Sequence, residues 1–427
     1  MIDLRRLRQE AEASRANLGR RLDPALADLV GRVLELDRRH REDLARFEAL
    51  RAERKAASEE VARLKRAKQP ADEQLARLKT SGEEEKVLEA ALRASEVDVA
   101  DALSLLPNFV LPRVPDGDAS CNRIVRSWGK PPNLGFTPRP HWELGEALGL
   151  IDLPAGARIA GSGFPLFRGP GARLVRGLAN FMLDLHVREH GYVEIAPPYL
   201  VNYDSAFGTG QLPKFADELY RTCDDELFLI PTAEVPVTNM HRGAVLDAAQ
   251  LPIAYVAWTP CFRREAGAHG KDTRGLIRVH QFDKVELVRF ARPEESDAEH
   301  EVITRHAEAV LQRLELPYRV VDLAAGDTGN ASAHTFDLEV WAPGVKAWLE
   351  VSSASTFTDY QARRANIRYR PEPGAKPEFV HTLNASGVAF PRCIVALLEN
   401  GQQPDGSVRL PDALVPYVGV SRFEPPA

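Results

Sequence analysis

The sequence predicts an α+β protein in two parts: an N-terminal antiparallel coiled-coil hairpin, then an antiparallel β-sheet domain flanked by helices. Three observations lead there. The first ~110 residues are rich in Ala, Leu, Arg and Glu, which favour helix, and their apolar residues recur in a heptad frame. A stretch dense in Pro, Gly and Asn follows. Beyond it, short strand-like runs come one after another with few helical segments between them, the pattern of an antiparallel sheet rather than a doubly wound fold.

In the hairpin, Leu26, Val33, Phe47 and Val61 occupy one heptad position and Leu29, Leu36, Leu50, Ala57 and Leu64 the other. His40, Asp43 and Arg54 interrupt that seam. A second run uses Leu75, Leu78, Leu88, Leu92, Val99, Leu103 and Leu106. Pro70 lies between the runs, and a proline cannot continue a helix interior, so the chain should turn there. The expected boundaries are 1–110 for the arm, 111–139 for a linker and 140–427 for the second domain. Such a seam commonly serves dimerisation. Charge placement suggests a different use: Arg63, Lys65, Arg66 and Lys68 crowd residues 61–70 with no acid among them, and Arg51, Arg54 and Lys55 lie just before. A hairpin basic toward its tip can reach a phosphate backbone.

In the second domain, Leu174, Leu178, Phe181, Met182 and Leu185 mark one face of a helix over 172–190, stopped at Gly191. A strand over 192–196 ends at Pro197-Pro198, and further strands are expected at 227–230, 254–258, 281–288, 318–322, 335–340 and 347–351. A last helix should span 391–400.

The totals exclude several classes. A net charge of −6 excludes a uniformly basic nucleic-acid binder, though not a local basic patch. Cys121, Cys223, Cys261 and Cys393 show no metal-ligand spacing and point to a reducing compartment. No apolar run reaches membrane-spanning length, so a cytoplasmic location is expected. There is no G-x-x-x-x-G-K-[ST] loop, no dinucleotide fingerprint and no G-x-S-x-G elbow, and the lone Asp327-Thr328-Gly329 reads as a turn.

Two stretches read as halves of a nucleotide-activating site. One starts at Cys261-Phe262-Arg263-Arg264-Glu265-Ala266-Gly267, passes Asp272-Thr273-Arg274-Gly275 and ends at His280-Gln281-Phe282-Asp283-Lys284-Val285-Glu286. The other is Asn384-Ala385-Ser386-Gly387-Val388-Ala389-Phe390-Pro391-Arg392. Each sets an arginine beside small residues, and the guanidinium fork matches phosphate oxygens. Glu350-Val351-Ser352-Ser353 between them offers a carboxylate and hydroxyls to a magnesium ion on phosphates. Thr232 reads on its own as a helix cap, with Glu234 as the acid of the first turn.

Together with His141-Trp142-Glu143-Leu144-Gly145, the Gly208–Phe215 stretch and Gln361-Ala362-Arg363-Arg364, these segments resemble the bacterial-type seryl-tRNA synthetases, of class II, over nearly the whole chain. That resemblance implies a class II catalytic sheet, ATP and Mg2+, L-serine, tRNA(Ser) with tRNA(Sec) where it exists, and a homodimer built on the 172–190 helix. It implies that Arg263 grips the α-phosphate and the substrate carboxylate and that Arg392 holds the γ-phosphate. Glu265 and Phe282 take the adenine, and Arg264, Val279, Val351 and Ser352 surround the nucleotide. Glu350 and Ser353 hold magnesium, Thr232 and Glu234 bracket the serine ammonium, Glu286 reads its hydroxyl, and Asn384 and Ser386 complete the pocket. Arg51, Arg54, Lys55, Arg63, Lys65, Arg66 and Lys68 become the tRNA-binding set. The chain departs from the family pattern at Arg264, Ala385, Phe390-Pro391, Ala354 and Thr356. Ala385 would be strained were its φ positive, and is expected to tighten the serine pocket. Two alternatives stay open: an amino-acid:carrier-protein ligase, against which the helical arm speaks, and an antibiotic-resistance paralogue of the synthetase.

Overall fold

The computed structural model describes residues 1–266 and 274–426, so Gly267, Asp272 and Thr273 of the first quoted stretch lie outside the described residues. The chain forms two compact units. One comprises residues 2–19 and 23–107; the other comprises Met1, residues 20–22 and residues from 108 onward.

The first unit is the hairpin. Helices α3 (Ala25–Arg66) and α4 (Asp72–Ser104) pack side by side, joined by a short turn that contains Pro70. Leu26, Val33, Val61, Leu64, Leu88, Leu92, Val99 and Leu103 are buried along the seam, as their spacing requires. Two of the three polar interruptions find partners across it: His40 Nδ1 lies 2.8 Å from Ser95 Oγ, and Arg54 pairs with Glu85. Leu75 departs from the pattern and is exposed, because Val61, Leu64, Ala71 and Leu78 close the apolar tip without it. Two short helices that the heptad frame does not anticipate precede the hairpin, α1 (Leu4–Gln9) and α2 (Ala11–Gly19). Arg8 ties α1 to α3 by a forked hydrogen bond to the buried Asp37 carboxylate, at 2.7 and 2.9 Å.

The second unit is built on an eight-stranded sheet. Its strands in chain order are β1 (Arg123–Trp128), β2 (Val193–Glu194), β3 (Ile253–Phe262), β4 (Gln281–Ala291), β5 (Tyr318–Asp322), β6 (His334–Ala342), β7 (Ala347–Thr356) and β8 (His381–Ala389). Their spatial order is β1-β5-β6-β7-β8-β4-β3-β2, antiparallel throughout except where β2 joins β3. The expected linker 111–139 is not one. It supplies edge strand β1, whose Trp128 pairs with Tyr318. Both Ile124 and Val125 point to solvent there, so no alternation of burial betrays the strand. The strand expected at 192–196 shortens to β2, and that at 227–230 becomes Phe228–Leu229 in a separate two-stranded ribbon.

One face of this sheet carries the larger core, and part of the other is closed by a second cluster that includes Ala257, Val288 and Phe290. Helices α5 (His141–Ala147), α6 (Pro170–Arg188), α8 (Ser296–Arg313) and α9 (Phe390–Gly401), with α7 (Glu234–Asn239) elsewhere in the unit, are its main helical elements. Leu178, Met182, Ile303, Val310, Ile394 and Leu397 from α6, α8 and α9 pack on Val285, Leu287, Ala354 and Ala385, all essentially inaccessible to water. At ~25 cal/mol per Å2 of apolar surface removed from water, such packing is the dominant stabilising term. Among the described residues no helix is long and apolar enough to cross a membrane.

Candidate active site

Strand alternation assigns the opposite face to chemistry, since successive side chains point to opposite sides of a sheet. On β4, Phe282, Lys284 and Glu286 share one face while Val285 and Leu287 enter the core. Their antiparallel partners on β3 are Cys261, Thr259 and Ala257, small buried residues that leave room above them, and Arg263 continues that row past the strand end. On the other side, Ser386 of β8 is registered on Glu286, and Asn384 two residues away faces the same way.

The arrangement at β7 needs one more device. Glu350 and Ser353 are three apart, a spacing that regular alternation would split between faces. A β-bulge between Glu350 and Ser352 against β6 inserts an extra residue and returns both to the open side. A second irregularity follows Ser386, where buried Val388 takes φ +110°. Positive φ is costly for a β-branched residue, and strain of this kind gathers at functional sites. Ala385, by contrast, has no positive φ. It packs into the core beside Leu287 and Ala354, on the face away from the site, so it neither strains the backbone nor narrows the pocket.

The face divides into a closed end and an open end. At the closed end Glu286 is wholly buried. Its carboxylate accepts hydrogen bonds from Asn384 Nδ2 at 2.5 Å and Thr232 Oγ1 at 3.1 Å, and it pairs with Lys284. The Thr232 hydroxyl also accepts the Glu234 N–H at 3.2 Å, although the N-cap position of α7 is Ala233 rather than Thr232 as expected. Glu234 is buried too, bonded by Gln361 Nε2 at 2.6 Å and Asn384 Nδ2 at 3.4 Å. Burial, reinforced by the neighbouring Glu286 charge, pushes its pKa up to about 7.

The open end is a cleft of about 570 Å3 bordered by Arg263, Glu265, Val279, Phe282, Glu350, Val351, Ser386 and Arg392 among others. The Arg263 guanidinium carbon stands 5.2 Å from the centre of the Phe282 ring, and its Nε–H reaches Pro231 O at 3.4 Å. Arg392 donates to Ile277 O at 3.0 Å and to Glu350 O at 2.8 Å, and meets the Glu350 carboxylate at 3.2 Å. The Glu265 carboxylate meets Arg278 at 3.3 Å. Across from Ser353, and hydrogen-bonded to it, Asp337 is held well above the usual carboxylate range by burial and the nearby Glu350 charge.

Three residues of the sequence-derived nucleotide set do not border this cleft: Arg264, Ser352 and Ser353, the last lying beside Asp337. Arg264 is exposed and does not border it, its amide instead donating to Glu218 O at 3.0 Å. Ser352 is buried on the core side of the bulge, its hydroxyl donating to Ser386 O at 2.5 Å, and acts by locking β7 to β8. On the arm, Arg54 turns into the seam toward Glu85, and Arg63 is engaged by Glu60 at 2.6 and 2.7 Å. Arg51, Lys55, Lys65, Arg66 and Lys68 are exposed. Sequence reasoning missed Lys284 and Gln361. Lys284 was readable from its spacing of two from both Phe282 and Glu286; Gln361 had no local signal.

Known proteins share this arrangement. Residues 215–401 match the tRNA synthetase class II core domain (G, H, P, S and T), and residues 1–110 match the seryl-tRNA synthetase N-terminal domain. A serine–tRNA ligase from Gemmatimonas aurantiaca is 54% identical over 98% of this chain and 99% of its own. The chain belongs to the seryl-tRNA synthetase family. A second serine–tRNA ligase, from Pelobacter propionicus, is 50% identical over the same shares. The crystal structure of the seryl-tRNA synthetase from Pyrococcus horikoshii, complexed with ATP, is 38% identical, with a TM-score of 0.96 over the whole of both chains. The activity of this seryl-tRNA synthetase is therefore ATP-dependent ligation of serine to tRNA, and neither the carrier-protein ligase nor the resistance-paralogue reading gains support from these relatives.

Proposed function

We propose that serine is activated along the open face of the sheet, with its side chain at the closed end and ATP in the cleft. The observation that carries this reading is the wholly buried Glu286 carboxylate, framed by Thr232, Asn384 and Lys284. It is an acceptor that a small hydroxyl can satisfy and an apolar side chain cannot. Glu234 and Thr232 take the ammonium, Asn384 and Ser386 close the pocket, and Arg263 takes the carboxylate. Phe282 stacks on adenine, and Arg392 neutralises the far phosphate. The serine carboxylate oxygen attacks the α-phosphorus in line. A new P–O bond forms, the bond to the β-phosphate bridge breaks, and pyrophosphate leaves with its electron pair. The enzyme contributes positioning and fixed positive charge rather than a nucleophile. The acyl group then passes to a hydroxyl of the terminal adenosine of tRNA(Ser), or of tRNA(Sec) where that exists, with release of AMP.

Magnesium fits at Glu350 and Ser353. One carboxylate and one hydroxyl suit an ion that keeps several waters and takes further ligands from the substrate phosphates. The raised Asp337 and the open Glu350 carboxylate form an acidic corner that a divalent cation relieves. When bound, the ion would neutralise phosphate charge. Exposed apolar residues Val193, Tyr199, Leu200 and Tyr203, just beyond α6, support a twofold partner there and hence a homodimer. A cytoplasmic location accords with such an enzyme.

ATP–pyrophosphate exchange with each amino acid in turn tests the substrate. Serine alone should support rapid exchange; exchange driven by alanine or glycine would refute the assignment. For the arm, replacing Lys65, Arg66 and Lys68 by Ala should leave exchange intact while weakening tRNA charging. The log–log salt dependence of tRNA affinity should flatten by about 0.7–0.9 for each phosphate no longer neutralised. Equal loss of exchange would make these residues structural.

A further inference from the structure

Leu276 and Ile277 border the nucleotide cleft, and what fixes them lies behind it, in residues no role above explains. His141 at the start of α5 and Glu399 near the end of α9 are both wholly buried. One Glu399 oxygen accepts the His141 backbone N–H and lies 2.9 Å from His141 Nδ1; the other accepts Gly344 N–H at 2.8 Å and Val345 N–H at 3.1 Å. At the far side of the ring, the Leu276 N–H reaches His141 Nε2 at 3.0 Å. A backbone N–H can only donate, so Nε2 presents its lone pair and the ring proton sits on Nδ1, facing Glu399. The next carbonyl along, Ile277 O, receives the Nε–H of Arg392. The approach is close enough to dictate sequence: Gly275 has φ +75°, and a Cβ there would lie 2.2 Å from His141 Nε2. The neighbouring Trp142 ring carries the Arg274 guanidinium at 4.6 Å from its centre, a second grip on the same segment.

We propose that His141, oriented by Glu399, is a positioning residue for ATP: it fixes residues 274–278 so that Ile277 O holds the Arg392 guanidinium in its phosphate-binding pose. This rests on the assignment of the cleft to ATP. Among the described residues no hydrogen bond joins the serine end, around Glu286 and Glu234, to the relay, so its affinity should be spared. That separates positioning from general stability, which would affect both substrates.

The test is a pair of substitutions followed by ATP–pyrophosphate exchange with serine. His141→Gln can place an amide oxygen near the position of Nε2 and keep the bond to Leu276. His141→Asn can still face Glu399 but is too short to reach Leu276. The asparagine variant should raise KM for ATP about tenfold, a change of ~1.4 kcal/mol, with KM for serine within about twofold of the parent. The glutamine variant should restore KM for ATP to within about threefold of the parent value. An unchanged KM for ATP in His141→Asn, equal effects of the two variants, or parallel rises for ATP and serine would overturn the proposal. Were the unmodified enzyme itself to show no serine-dependent exchange, the assignment of function would be at fault instead. Hydrogen exchange needs no variant: the Leu276 amide of the unmodified protein should be protected about a hundredfold or more. Exchange at the unprotected rate would remove the link on which the relay depends.

Discussion

The two ends of the site hold charge in opposite ways. At the nucleotide end, Arg392 meets Glu350 with side chains 26% and 46% exposed, and the guanidinium of Arg263 rests against an aromatic ring rather than a carboxylate. Such charges stay hydrated and cost little to leave bare, and an arriving polyanion can take over their contacts. At the serine end, two carboxylates, a lysine, a threonine and the Gln361 amide are sealed from water, and the half-buried Asn384 amide joins them in one network. Desolvated groups of this kind penalise any ligand that leaves one unpaired. Open charge suits a large, highly charged substrate whose own energy is ample. Buried, prearranged charge suits a small substrate that must be told from its analogues by one oxygen.

The largest expected effect breaks the open end. Arg263→Ala should lower serine-dependent pyrophosphate exchange by about 10²–10³ or more, the usual loss when one preorganised charge donor is removed. Lysine at that position should rescue poorly, because a point charge lacks the fork. Near-parental turnover in the alanine variant would place Arg263 outside the reaction.

A smaller effect sharpens the closed end. The Glu234 carboxyl is raised from its ordinary range to about 7, so the folded protein binds a proton more tightly there than the unfolded chain does. The sign follows: this group makes stability fall as pH rises from the ordinary carboxylate value toward 7, at a total cost of order 3 kcal/mol above that. In the proposed pose Glu234 takes the serine ammonium and must be ionised to do so, so KM for serine should climb as pH drops below 7, by at most about tenfold per unit. Glu234→Gln should therefore unfold at higher temperature than the parent at pH 8 while binding serine far more weakly. A KM for serine flat between pH 6 and 8 would contradict the raised pKa.

How much could be read in the sequence also differed between regions. The arm was legible nearly residue by residue, because a heptad seam is local and its interruptions at His40 and Arg54 announce partners across the hairpin. The sheet was legible in six of its eight strands but not in order: β8, which carries Asn384 and Ser386, was not expected as a strand, and it lies beside β4 and β7 only through long-range pairing. Edge strand β1 hid inside a Pro-rich stretch whose apolar residues face solvent. In the site, family resemblance supplied Thr232, Glu234, Glu286 and Arg392, while Lys284 needed only the period of two to be found. The bulge that turns Glu350 and Ser353 to one face leaves no mark in the sequence. Ala385 misled because its neighbours Asn384 and Ser386 belong to the pocket; strand alternation points it the other way. The His141–Glu399 relay joins positions far apart in the chain, beyond any local pattern.

The serine-to-alanine exchange ratio of Glu286→Gln tests most directly whether buried charge does the selecting. A carboxylate that must be satisfied by the substrate hydroxyl should let the parent enzyme reject alanine by ~10⁴-fold or more. A neutral amide accepts the substrate hydroxyl more weakly than a carboxylate and gives up the pairing with Lys284, so the variant should activate serine much more slowly and discriminate by orders of magnitude less. A variant that keeps both the rate and the ratio would mean that Glu286 does not read the hydroxyl, and the contrast between the two ends would lose its basis.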